Sequence, residues 1–587
     1  MSQPPRWILP AHENGGAERL ARQCGLEPPA ARVLWARGLH DAAAVDQFLH
    51  PKLSALEDPF LLRGMEAAAE RVLRAARGGE RILIYGDYDV DGTSSIVILK
   101  LMLERLGAQA DFHIPDRLKD GYGIQTGVLE EAARAGARLL ISVDTGIRAL
   151  EPLRRAAELG LDVIVTDHHL PEDELPPAVA ILNPNQPGCP YPNKALCGAG
   201  VTFKLIQALM ERSGMAPDRI VKLSDSLLVL VAVATVADVV GLTGENRVIV
   251  KRGLEGLART RNKGLRALLA SAGLAEGDPV TATDVAFRLG PRINAAGRMD
   301  HAAEVIELFL TGDAQRAHEI AQRLDALNAE RQRTCEAIIG QITGRLGEPP
   351  LPPERAGLVF YDPEWHRGVV GIVANRIAET YHRPTLVLGR DGNSGLAQGS
   401  GRSIPGFHLL AVLESLADLF ERFGGHRAAV GVTLRPERVD ELRERFNAAV
   451  ARALTSEELQ GELRFDAPLY LHELTDAAAA QVLQMAPFGY GNPAPLFYVP
   501  GVTLAEPPQT FGSTGDHLRL RLPSGNGRPL TAKAWRFAGR AHELAPGRKV
   551  DLALSIDQDL YSLKRGYAGW SATVQDVRPA EAGGRIE

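Results

Sequence analysis

The sequence predicts an α/β multidomain protein that begins with a parallel sheet and ends in a small β-barrel. From Arg81 onwards, short apolar runs alternate with amphipathic segments, which is the rhythm of βαβ units on a parallel sheet. From about residue 460, strand-like runs such as HLRLRL (517–522) are separated by Gly, Pro, Asn and Asp, which is typical of a small barrel. The chain of 587 residues has room for about four domains of roughly 150 residues.

The apolar runs of the first half predict five strands. From Asp313 to Leu346 nothing breaks a helix before Gly340, so we expect a helix of about 45 Å that joins two lobes. A Pro-rich boundary at 347–357 precedes a second α/β segment. The predicted strands are 82–85, 110–114, 138–143, 161–166 and 178–183. The expected divisions are a helical segment (1–50), a first α/β domain (51–312), the connecting helix (313–346), a second α/β domain (347–456) and the barrel (457–587).

Composition and charge exclude several classes of protein. Hydrophobic residues make up 45% and charged residues 24%, which excludes wholesale disorder, collagen and coiled coil. The four cysteines form no CxxC pair, which argues against a disulfide framework or zinc knuckle and favours a reducing compartment. The net charge is -6, so any contact with nucleic acid must come from local basic patches.

No targeting or membrane segment is predicted. The N-terminus, MSQPPRWILP, lacks the charged and apolar regions of a signal peptide. The longest apolar run, 227–240, is shorter than the roughly 20 residues of a membrane helix and carries Asp238. We interpret it as a buried core helix and expect a soluble, cytoplasmic protein with no membrane contact.

Acidic residues follow three of the five predicted strands. Ligands of parallel sheets bind beyond the carboxyl ends of the strands, so we expect these side chains to meet at one rim. Carboxylates so close together repel unless cations neutralise them. Oxygen ligands with one or two imidazoles suit Mn²⁺ or Mg²⁺ better than structural zinc, and a pair of such ions clamps a phosphoryl group. The candidates are Asp87, Asp89 and Asp91 in GDYDVDG, Asp144 after RLLISV, Asp167, His168 and His169 after LDVIVT, and Asp238.

Each of these motifs has a simpler interpretation when it is taken alone. The DxDxDG pattern resembles a calcium loop, although the Glu at the twelfth position of such a loop is missing. An Asp after a strand is often a helix N-cap, which leaves the role of Asp144 open, and Asp238 could be a buried capping acid. A DHH tripeptide also occurs in surface turns. The combination of all four motifs favours a metal centre.

The four motifs GDYDVDG, VDTG, TDHH and ATVADVV resemble those of the DHH phosphoesterase superfamily. The wider match is similar to its RecJ branch, the single-strand-specific 5′→3′ exonucleases, from about residue 50 to the end of the chain. It implies a parallel-sheet DHH domain, a long connecting helix, a second α/β domain called DHHA1 and an OB-type β-barrel. The longer matching segments are PDRLKDGYG, LCGAGVTFK, GPRINAAGRM, WHRGVVGIVANRI, GSGRSIPGFH, GGH and PFGYGNPAPLF.

The resemblance implies a catalytic centre with two divalent cations, Mn²⁺ or Mg²⁺. It places Asp89 and Asp91 on different ions and Asp144 as the bridge between them. It places His168 and Asp238 on the second ion.

The resemblance also implies that His169 faces the substrate phosphate. The sequence departs from the superfamily at one position, because pyrophosphatase members carry a His four residues before the first DxD acid. Here that residue is Tyr85, and Asp87 is the candidate replacement ligand.

The second lobe resembles DHHA1 and supplies candidate phosphate contacts. We expect GSGR to form a turn in which Gly399 and Gly401 bring backbone N–H groups near an anion, while Ser400 and Arg402 add a hydroxyl and a guanidinium. Turn glycines with a solvated Arg are the alternative from spacing alone. The resemblance favours substrate binding by Ser400, Arg402 and His426.

Further candidates for substrate binding lie in the first lobe. They are Arg292, Asn294 and Arg298 in GPRINAAGRM, and Arg117 and Tyr122 on a Gly-rich loop, where they could hold a strand by charge and stacking.

The predicted barrel carries a local positive charge. Between Phe511 and Ala568 there are ten basic and five acidic residues, and aromatic residues are interleaved with them. This pattern favours an OB-fold that holds single-stranded nucleic acid by stacking and phosphate contacts. The alternative is that aromatic residues form the core and basic residues a solvated rim. Candidate contacts are Arg519, Arg521 and Lys533.

The resemblance implies a metal-dependent exonuclease that degrades single-stranded DNA from the 5′ end to mononucleotides, in DNA repair and recombination. A single-strand-binding protein and a helicase are candidate partners, and a monomer is expected. The alternatives are a DHH-type oligonucleotide or cyclic-dinucleotide phosphodiesterase, and a non-catalytic single-strand-binding replication scaffold. Such phosphodiesterases are generally shorter and lack an OB domain, and the Cdc45-like scaffold has lost several of the acids that are present here.

Overall fold

The computed structural model describes residues 5–10, 15–116, 123–299, 301–349, 351–523 and 529–580. Its first lobe is built on a five-stranded parallel sheet in the order β3-β2-β4-β5-β6. The N-terminal segment contains β1 (Arg6–Ile8), α1 (Gly16–Cys24), α2 (Pro28–Ala36) and α3 (Ala42–Leu49). The first lobe contains α4 (Met65–Gly78), β2 (Arg81–Gly86), α5 (Val90–Arg105), β3 (Gln109–His113), α6 (Thr126–Arg134), β4 (Ala137–Val143), α7 (Leu150–Glu158), β5 (Asp162–Thr166), β6 (Ala180–Leu182), α8 (Gly198–Arg212), α9 (Pro217–Ala237), α10 (Gly244–Leu257), α11 (Lys263–Ser271), α12 (Ala282–Asp284), α13 (Gly290–Met299) and α14 (Ala303–Leu310).

All five predicted strands are present, which confirms the parallel sheet. The central strands are almost continuously apolar because helices cover both faces of the sheet. The chain runs from β2 outwards to β3 and then returns to β4 on the other side of β2, so the strand order reverses between β2 and β4. Such a reversal opens a crevice at the carboxyl ends of the two strands, which is where ligands bind in open α/β sheets.

The apolar run around residue 230 forms most of helix α9. This helix is the one described helix that is long and apolar enough to cross a membrane, judged by length and composition alone. In its most apolar window 61% of the helix is buried inside the protein, where it packs against α5, α8 and α10. The helix therefore serves as a core element of the first lobe, as predicted.

Helix α15 (Ala314–Leu346) connects the two lobes and has 33 residues, or about 50 Å at 1.5 Å per residue. Ala317, Ile320 and Leu324 belong to the core of the first lobe. Ile338 and Ile342 belong instead to a core shared with the second lobe. The buried face thus passes from one lobe to the other along a single helix.

The second lobe has a five-stranded mixed sheet in the order β10-β11-β9-β8-β7. One face of this sheet packs against α16, and the other packs against α17 and α18. The central strand β9 contains the GSGR motif, so the motif lies in a strand and not in the expected turn. The elements are β7 (Leu358–Tyr361), α16 (Arg367–Tyr381), β8 (Thr385–Arg390), β9 (Ala397–Arg402), α17 (Leu409–Glu414), β10 (Arg422–Gly425), β11 (Ala429–Leu434) and α18 (Val439–Ala453).

The C-terminal domain is built on a seven-stranded sheet in the order β13-β14-β18-β19-β17-β16-β15. Among the described residues no strand pairing closes this sheet into a complete barrel. The elements are β12 (Glu462–Arg464), β13 (Ala467–Pro468), α19 (Asp476–Gln484), β14 (Leu496–Thr503), β15 (Gln509–Phe511), β16 (His517–Leu522), β17 (Leu530–Ala534), β18 (Lys549–Gln558), α20 (Leu560–Lys564) and β19 (Trp570–Pro579).

The N-terminal segment packs on the C-terminal domain, although the two are more than 400 residues apart in the chain. Strand β1 pairs in parallel with β12. Leu20, Val33 and Leu34 from α1 and α2 lie in one hydrophobic core with Phe497 of β14. The sequence had suggested no chemistry for residues 1–50, and the structure shows that they complete this core.

Candidate metal centre and nucleic-acid interface

Acidic side chains converge at the carboxyl edge of the parallel sheet. Asp87 follows β2, Asp144 follows β4 and Asp167 follows β5, and all three are buried. Asp91 lies in the first turn of α5, and Asp238 is the residue that ends α9. The topology therefore brings together the acids that the sequence predicted to meet, at the crevice between β2 and β4.

Two carboxylates of the GDYDVDG motif are held by helix N-termini. Asp89 is the N-cap of α5, and its Oδ1 accepts hydrogen bonds from the N–H groups of Asp91 (2.9 Å) and Gly92 (3.0 Å). The two oxygens of Asp91 accept from the N–H groups of Gly198 (2.6 Å) and Ala199 (2.7 Å) at the start of α8. The positive ends of two helices thus stabilise negative charge at the centre.

Among the described residues the donors form three groups: one is Asp144, Asp167, His168 and His169, and the other two contain the acids predicted for the two ions. Asp87, Asp89 and Asp144 each offer a ligand atom within 4.8 Å of the others, and so do Asp91, His168 and Asp238. His168 Nε2 lies 3.2 Å from Asp144 Oδ1, and 3.8 Å from both Asp91 Oδ2 and Asp238 Oδ2. Asp144 therefore lies between the two groups, where one carboxylate can face both.

Asp144 has an unusual backbone and an unsatisfied carboxylate oxygen. Its φ is 57°, in the left-handed region that Asp and Asn tolerate best among non-glycine residues. Its Oδ1 is buried and accepts no hydrogen bond from the described part of the chain. Burial and the charges of Asp91 and Asp89 raise the pKa of Asp144 well above its usual range.

The neighbouring groups show the same excess of negative charge. Burial, followed by the charges of Asp91 and Asp89, raises the pKa of Asp238 to about 9. Burial lowers the pKa of His168, which favours the neutral imidazole that a metal ligand requires. Carboxylate oxygens with one imidazole are a donor set for Mn²⁺ or Mg²⁺, and cations would neutralise these acids. The residues present therefore fit divalent cations.

His169 and Asp167 form a second pair beside the centre. Asp167 Oδ1 lies 2.7 Å from His169 Nδ1 and also accepts from the N–H groups of His168 and His169. Burial alone lowers the pKa of His169, but the hydrogen bond to Asp167 outweighs it and raises the value to about 9. The imidazole of His169 is therefore protonated at neutral pH and is a cation beside the acidic cluster.

Several residues that shape the centre were missed by the sequence analysis. Asp167 was noted but was assigned no role. Asn183 Nδ2 donates to the carbonyl of His169 (2.9 Å), and Asn185 Nδ2 donates to that of His168 (2.8 Å). The asparagines follow β6 in the segment LNPN, and a polar run directly after a predicted strand was the available signal.

Tyr85 points away from the acidic cluster. Its hydroxyl donates to the carbonyl of Gly123 and accepts from the N–H of Gln125, both at 3.1 Å. The ring is fully buried in the small core beneath α6 and α7. Tyr85 is thus a structural residue in this chain, whereas Asp87, which is 6% exposed, offers a ligand atom within 4.8 Å of those of Asp89 and Asp144.

The candidates in GPRINAAGRM make contacts within the protein. Asn294 Oδ1 accepts from the N–H of Val90 (3.1 Å) and so holds the start of α5. Arg292 forms an ion pair with Asp325 of α15 (2.8 Å), and Arg298 donates to the carbonyl of Gly368 in the second lobe (3.1 Å). Substrate contacts by these three residues stay a prediction. Arg117 and Tyr122 lie outside the described residues.

In the second lobe, Ser400 and Arg402 lie on one face of β9. Their side chains point towards α16, since a Cβ built on Gly371 would lie 3.3 Å from Ser400 Oγ and 3.2 Å from Arg402 Nη2. The glycines have a different role from the one expected. A Cβ on Gly399 would lie 2.1 Å from the carbonyl oxygen of Val387, so Gly399 permits close strand packing, and its backbone is engaged in the sheet.

His426 is the second-lobe candidate that lies near the acidic cluster, close to His169. It follows β10, and its N–H donates to the carbonyl of Ala429 (2.8 Å). Burial and the nearby charges of Arg148 and His169 lower the pKa of His426. A cavity of about 310 Å³ in the first lobe is lined by residues that include Thr145, Arg148 and His169. His426 of the second lobe therefore lies near two of the residues that line this cavity, Arg148 and His169.

The basic residues of the C-terminal sheet lie on neighbouring strands. Arg519 on β16 is directly opposite Lys533 on β17, and Arg521 lies two residues further along β16. Lys533 forms an ion pair with Asp559 (3.3 Å), whereas the Arg519 guanidinium lies over the ring of Phe511. Trp535, which is 50% exposed, packs edge-on against Phe511. A basic and aromatic surface is therefore present at this end of the sheet.

Comparison with known proteins yields matches along most of the chain. Residues 81–235 match the DHH family N-terminal domain, residues 355–452 match the DHHA1 domain, and residues 465–566 match the RecJ OB domain. The single-stranded-DNA-specific exonuclease RecJ of Bacillus subtilis is 38% identical over 94% of this chain and 69% of its own length. That of Escherichia coli is 38% identical over 80% of this chain and 83% of its own length.

Solved structures give the same result. The crystal structure of RecJ in complex with Mn²⁺ from Thermus thermophilus has a TM-score of 0.83, with 32% identity over 99% of this chain and 81% of that chain. The structure of the same protein in complex with Mg²⁺ has a TM-score of 0.77 with 30% identity, covering 98% of this chain and 79% of that chain. The chain belongs to the RecJ family of the DHH phosphoesterase superfamily.

Proposed function

We propose that this protein is a metal-dependent exonuclease that degrades single-stranded DNA from the 5′ end to mononucleotides. The observation that carries the proposal is the pair of donor groups that meet at Asp144, in a chain 38% identical to RecJ exonucleases. Two divalent cations, Mn²⁺ or Mg²⁺, would be held by Asp87, Asp89 and Asp144 on one side, and by Asp91, His168 and Asp238 on the other. When bound, such ions acidify a water and stabilise charge on a phosphoryl group.

The side chains around the centre supply the remaining chemistry. The protonated imidazole of His169, oriented by Asp167, is placed to neutralise a substrate phosphate. Ser400, Arg402 and His426 of the second lobe are the proposed contacts to the 5′ end: Ser400 and Arg402 lie together beside Gly371, and His426 lies near His169. A terminal phosphate carries more charge than an internal diester, and guanidinium groups bind phosphate oxygens in a bidentate manner.

The C-terminal sheet is the proposed binding surface for the rest of the strand. Exposed Trp535 and the basic residues Arg519 and Arg521 offer stacking and phosphate contacts, which is how OB-folds bind single strands. The finer features of the proposal are a role in DNA repair and recombination, a cytoplasmic location and a monomeric state. A single-strand-binding protein or a helicase is the proposed protein partner.

Cleavage of end-labelled strands tests this function directly. A single strand labelled at the 5′ end in one experiment and at the 3′ end in another is incubated with Mn²⁺, Mg²⁺ or EDTA. We expect the 5′ label to appear at once as a mononucleotide and the 3′ label to move through a ladder of shortening strands, with either metal and not with EDTA. Endonucleolytic fragments, or binding without cleavage, would contradict the proposal.

A further inference from the structure

The backbone directly after Asp238 is strained. Val239 has a φ of 59°, in a region where a β-branched residue is rare and where the cost is roughly 1–3 kcal/mol. Its side chain is 64% exposed, so its own packing does not hold this conformation. Such a conformation persists only where the surroundings fix the backbone. Asp238 directly precedes Val239, so the groups that fix this loop also restrict the backbone from which the Asp238 carboxylate projects.

Two anchors hold the loop 239–243. One lies within the first lobe, where Asn246 Nδ2 donates to the carbonyl of Gly241 at 3.0 Å. The other comes from the C-terminal domain, whose Tyr490 carbonyl accepts a hydrogen bond from the N–H of Leu242 at 2.8 Å. The conformation of the segment that follows a candidate metal ligand thus depends on a domain that contributes no ligand.

The turn that carries Tyr490 is shaped for this contact. Gly489 and Asn492 are bonded to each other in both directions, at 2.9 and 3.1 Å, which closes the turn. A Cβ on Gly489 would lie 2.8 Å from Leu242 Cδ1, and one on Gly491, whose φ is 74°, would lie 3.1 Å from the Gly241 Cα. Glycine is therefore needed at Gly491, where φ is positive and the two backbones approach closely, whereas a Cβ on Gly489 would meet the end of the Leu242 side chain.

Hydrogen bonds of the Asn492 and Arg37 side chains hold the turn in place. Asn492 is 2% exposed, and its Nδ2 donates to the carbonyls of Met485 (3.1 Å) and Pro487 (2.8 Å). Its Oδ1 accepts a hydrogen bond from Arg37 Nη1 at 2.6 Å. Arg37 follows α2, so the N-terminal segment reaches the turn through this guanidinium, whose side chain is 15% exposed.

We infer that the Gly489–Asn492 turn is a positioning element for Asp238 and that Arg37 and Asn492 hold it in place. The inference rests on the proposed function, in which Asp238 binds the second ion. The second metal site is then complete only when the C-terminal domain, with the N-terminal segment packed on it, is docked on the first lobe. Hydrogen bonds join Arg37 to Asn492, Asn492 to Gly489 of the same turn, and Tyr490 of that turn to Leu242, which lies four residues after Asp238 in the chain.

The test is a titration of the metal-free, full-length protein with Mn²⁺ by isothermal calorimetry. For Asn492→Ala we expect one of two Mn²⁺ sites to weaken about ten- to a hundredfold, the usual effect of losing a residue that orients a metal ligand. The other site should keep its wild-type affinity. At saturating Mn²⁺ the cleavage rate should recover, which a general loss of structure would not allow. Gly491→Ala, which disturbs the turn without removing the Asn492 contacts, should weaken the same site.

Arg32→Ala is the matched control. Arg32 also joins the N-terminal segment to the C-terminal domain, through two hydrogen bonds of 2.7 Å to Glu473, but it does not contact the turn. We expect this variant to bind Mn²⁺ like the wild type. Equal weakening by Arg32→Ala, or wild-type affinity at both sites in Asn492→Ala and Gly491→Ala, would overturn the inference. If the wild-type protein bound no Mn²⁺, the proposed function itself would fail.

Discussion

In the proposed centre, both burial and the negative charges of neighbouring acids disfavour the ionised form of Asp144. Its carboxylate is buried among other acids, and its backbone is in the left-handed region. Substitution by Ala would therefore remove the carboxylate and also strain the backbone, by roughly 1–2 kcal/mol. Asn is the cleaner replacement, because it tolerates this conformation and keeps the shape of the side chain.

For Asp144→Asn we expect cleavage to fall at least about a hundredfold, because a ligand shared by both ions is lost. In EDTA the melting temperature should equal or exceed that of the wild type, since a buried carboxylate that repels its neighbours has been removed. Strand-end cleavage and thermal melting measure the two effects. Asp173→Asn, which alters an exposed acid in the loop that follows β5, is the control. Near-wild-type cleavage by Asp144→Asn would contradict the proposed bridge.

Arg402 is the proposed sensor of the 5′ phosphate. For Arg402→Ala we expect the preference for 5′-phosphorylated over 5′-hydroxyl strands to fall about ten- to a hundredfold, the effect of roughly 1.5–3 kcal/mol from one charge-assisted contact. Arg402→Lys should restore the preference only in part, because an ammonium lacks the planar fork. The measurement is kcat/KM for both substrates.

Arg445→Ala is the control for Arg402. Arg445 lies on α18, on the opposite face of the same sheet, and pairs with Asp418. Its loss should leave the preference for the 5′ phosphate unchanged. Retention of the preference in Arg402→Ala, or its absence in the wild type, would show that another group senses the end.

At the level of elements, the strands of the first lobe were predictable because their apolar runs are short, and three of them are followed by the candidate acids. The parallel topology then placed Asp87, Asp144 and Asp167 at one edge. The GSGR motif was misassigned to a turn, because glycine marks turns more often than it marks a central strand. Here Gly399 and Gly401 lack a Cβ because neighbouring strands and side chains occupy that space, which only the tertiary structure reveals.

The basic residues of β16 and β17 should contribute unequally to the binding of single-stranded DNA. A contact with one phosphate of a single strand contributes about -0.7 to the slope of log K against log salt. We expect Arg519→Ala to weaken binding and to reduce the slope by about one contact. Lys533→Ala should change the slope less, because Asp559 already neutralises Lys533, and Arg521→Ala should lie between the two.

The triple variant of Arg519, Arg521 and Lys533 should show the largest loss of slope. Fluorescence anisotropy of a labelled strand in EDTA, at several salt concentrations, measures binding without cleavage. Arg548→Ala, in the turn before β18, is the control. An unchanged slope in the triple variant would assign these three residues to a solvated rim.

At the scale of the whole molecule, the N-terminal segment and the C-terminal domain act as one folded unit. Neither could be assigned to the other from sequence, because no local pattern reports a contact between Arg6 and Glu462. Buried side chains of α1, α2 and α3 complete the C-terminal core, and Arg247 of α10 donates to the carbonyls of Phe48 and Ala486. The same unit therefore reaches the first lobe beside the turn proposed to position Asp238.

Leu34 tests this unit because it is fully buried in the shared core. We expect Leu34→Ala to lower the free energy of unfolding by about 2–5 kcal/mol, the range for removing a buried leucine side chain. Four of the five tryptophans, Trp7, Trp35, Trp535 and Trp570, lie in the N-terminal segment or the C-terminal domain, so tryptophan fluorescence during urea unfolding reports mainly on this unit.

Leu9→Ala is the matched control, since Leu9 is 38% exposed and its truncation should change stability by less than about 0.5 kcal/mol. If the two regions form one unit, a substitution in α2 must also lower the urea concentration at which the C-terminal sheet releases single-stranded DNA. The anisotropy of a bound, labelled DNA strand should therefore fall at a lower urea concentration in Leu34→Ala than in the wild type. Loss of fluorescence without loss of strand binding at the same urea concentration would mean that the C-terminal sheet folds independently of residues 1–50.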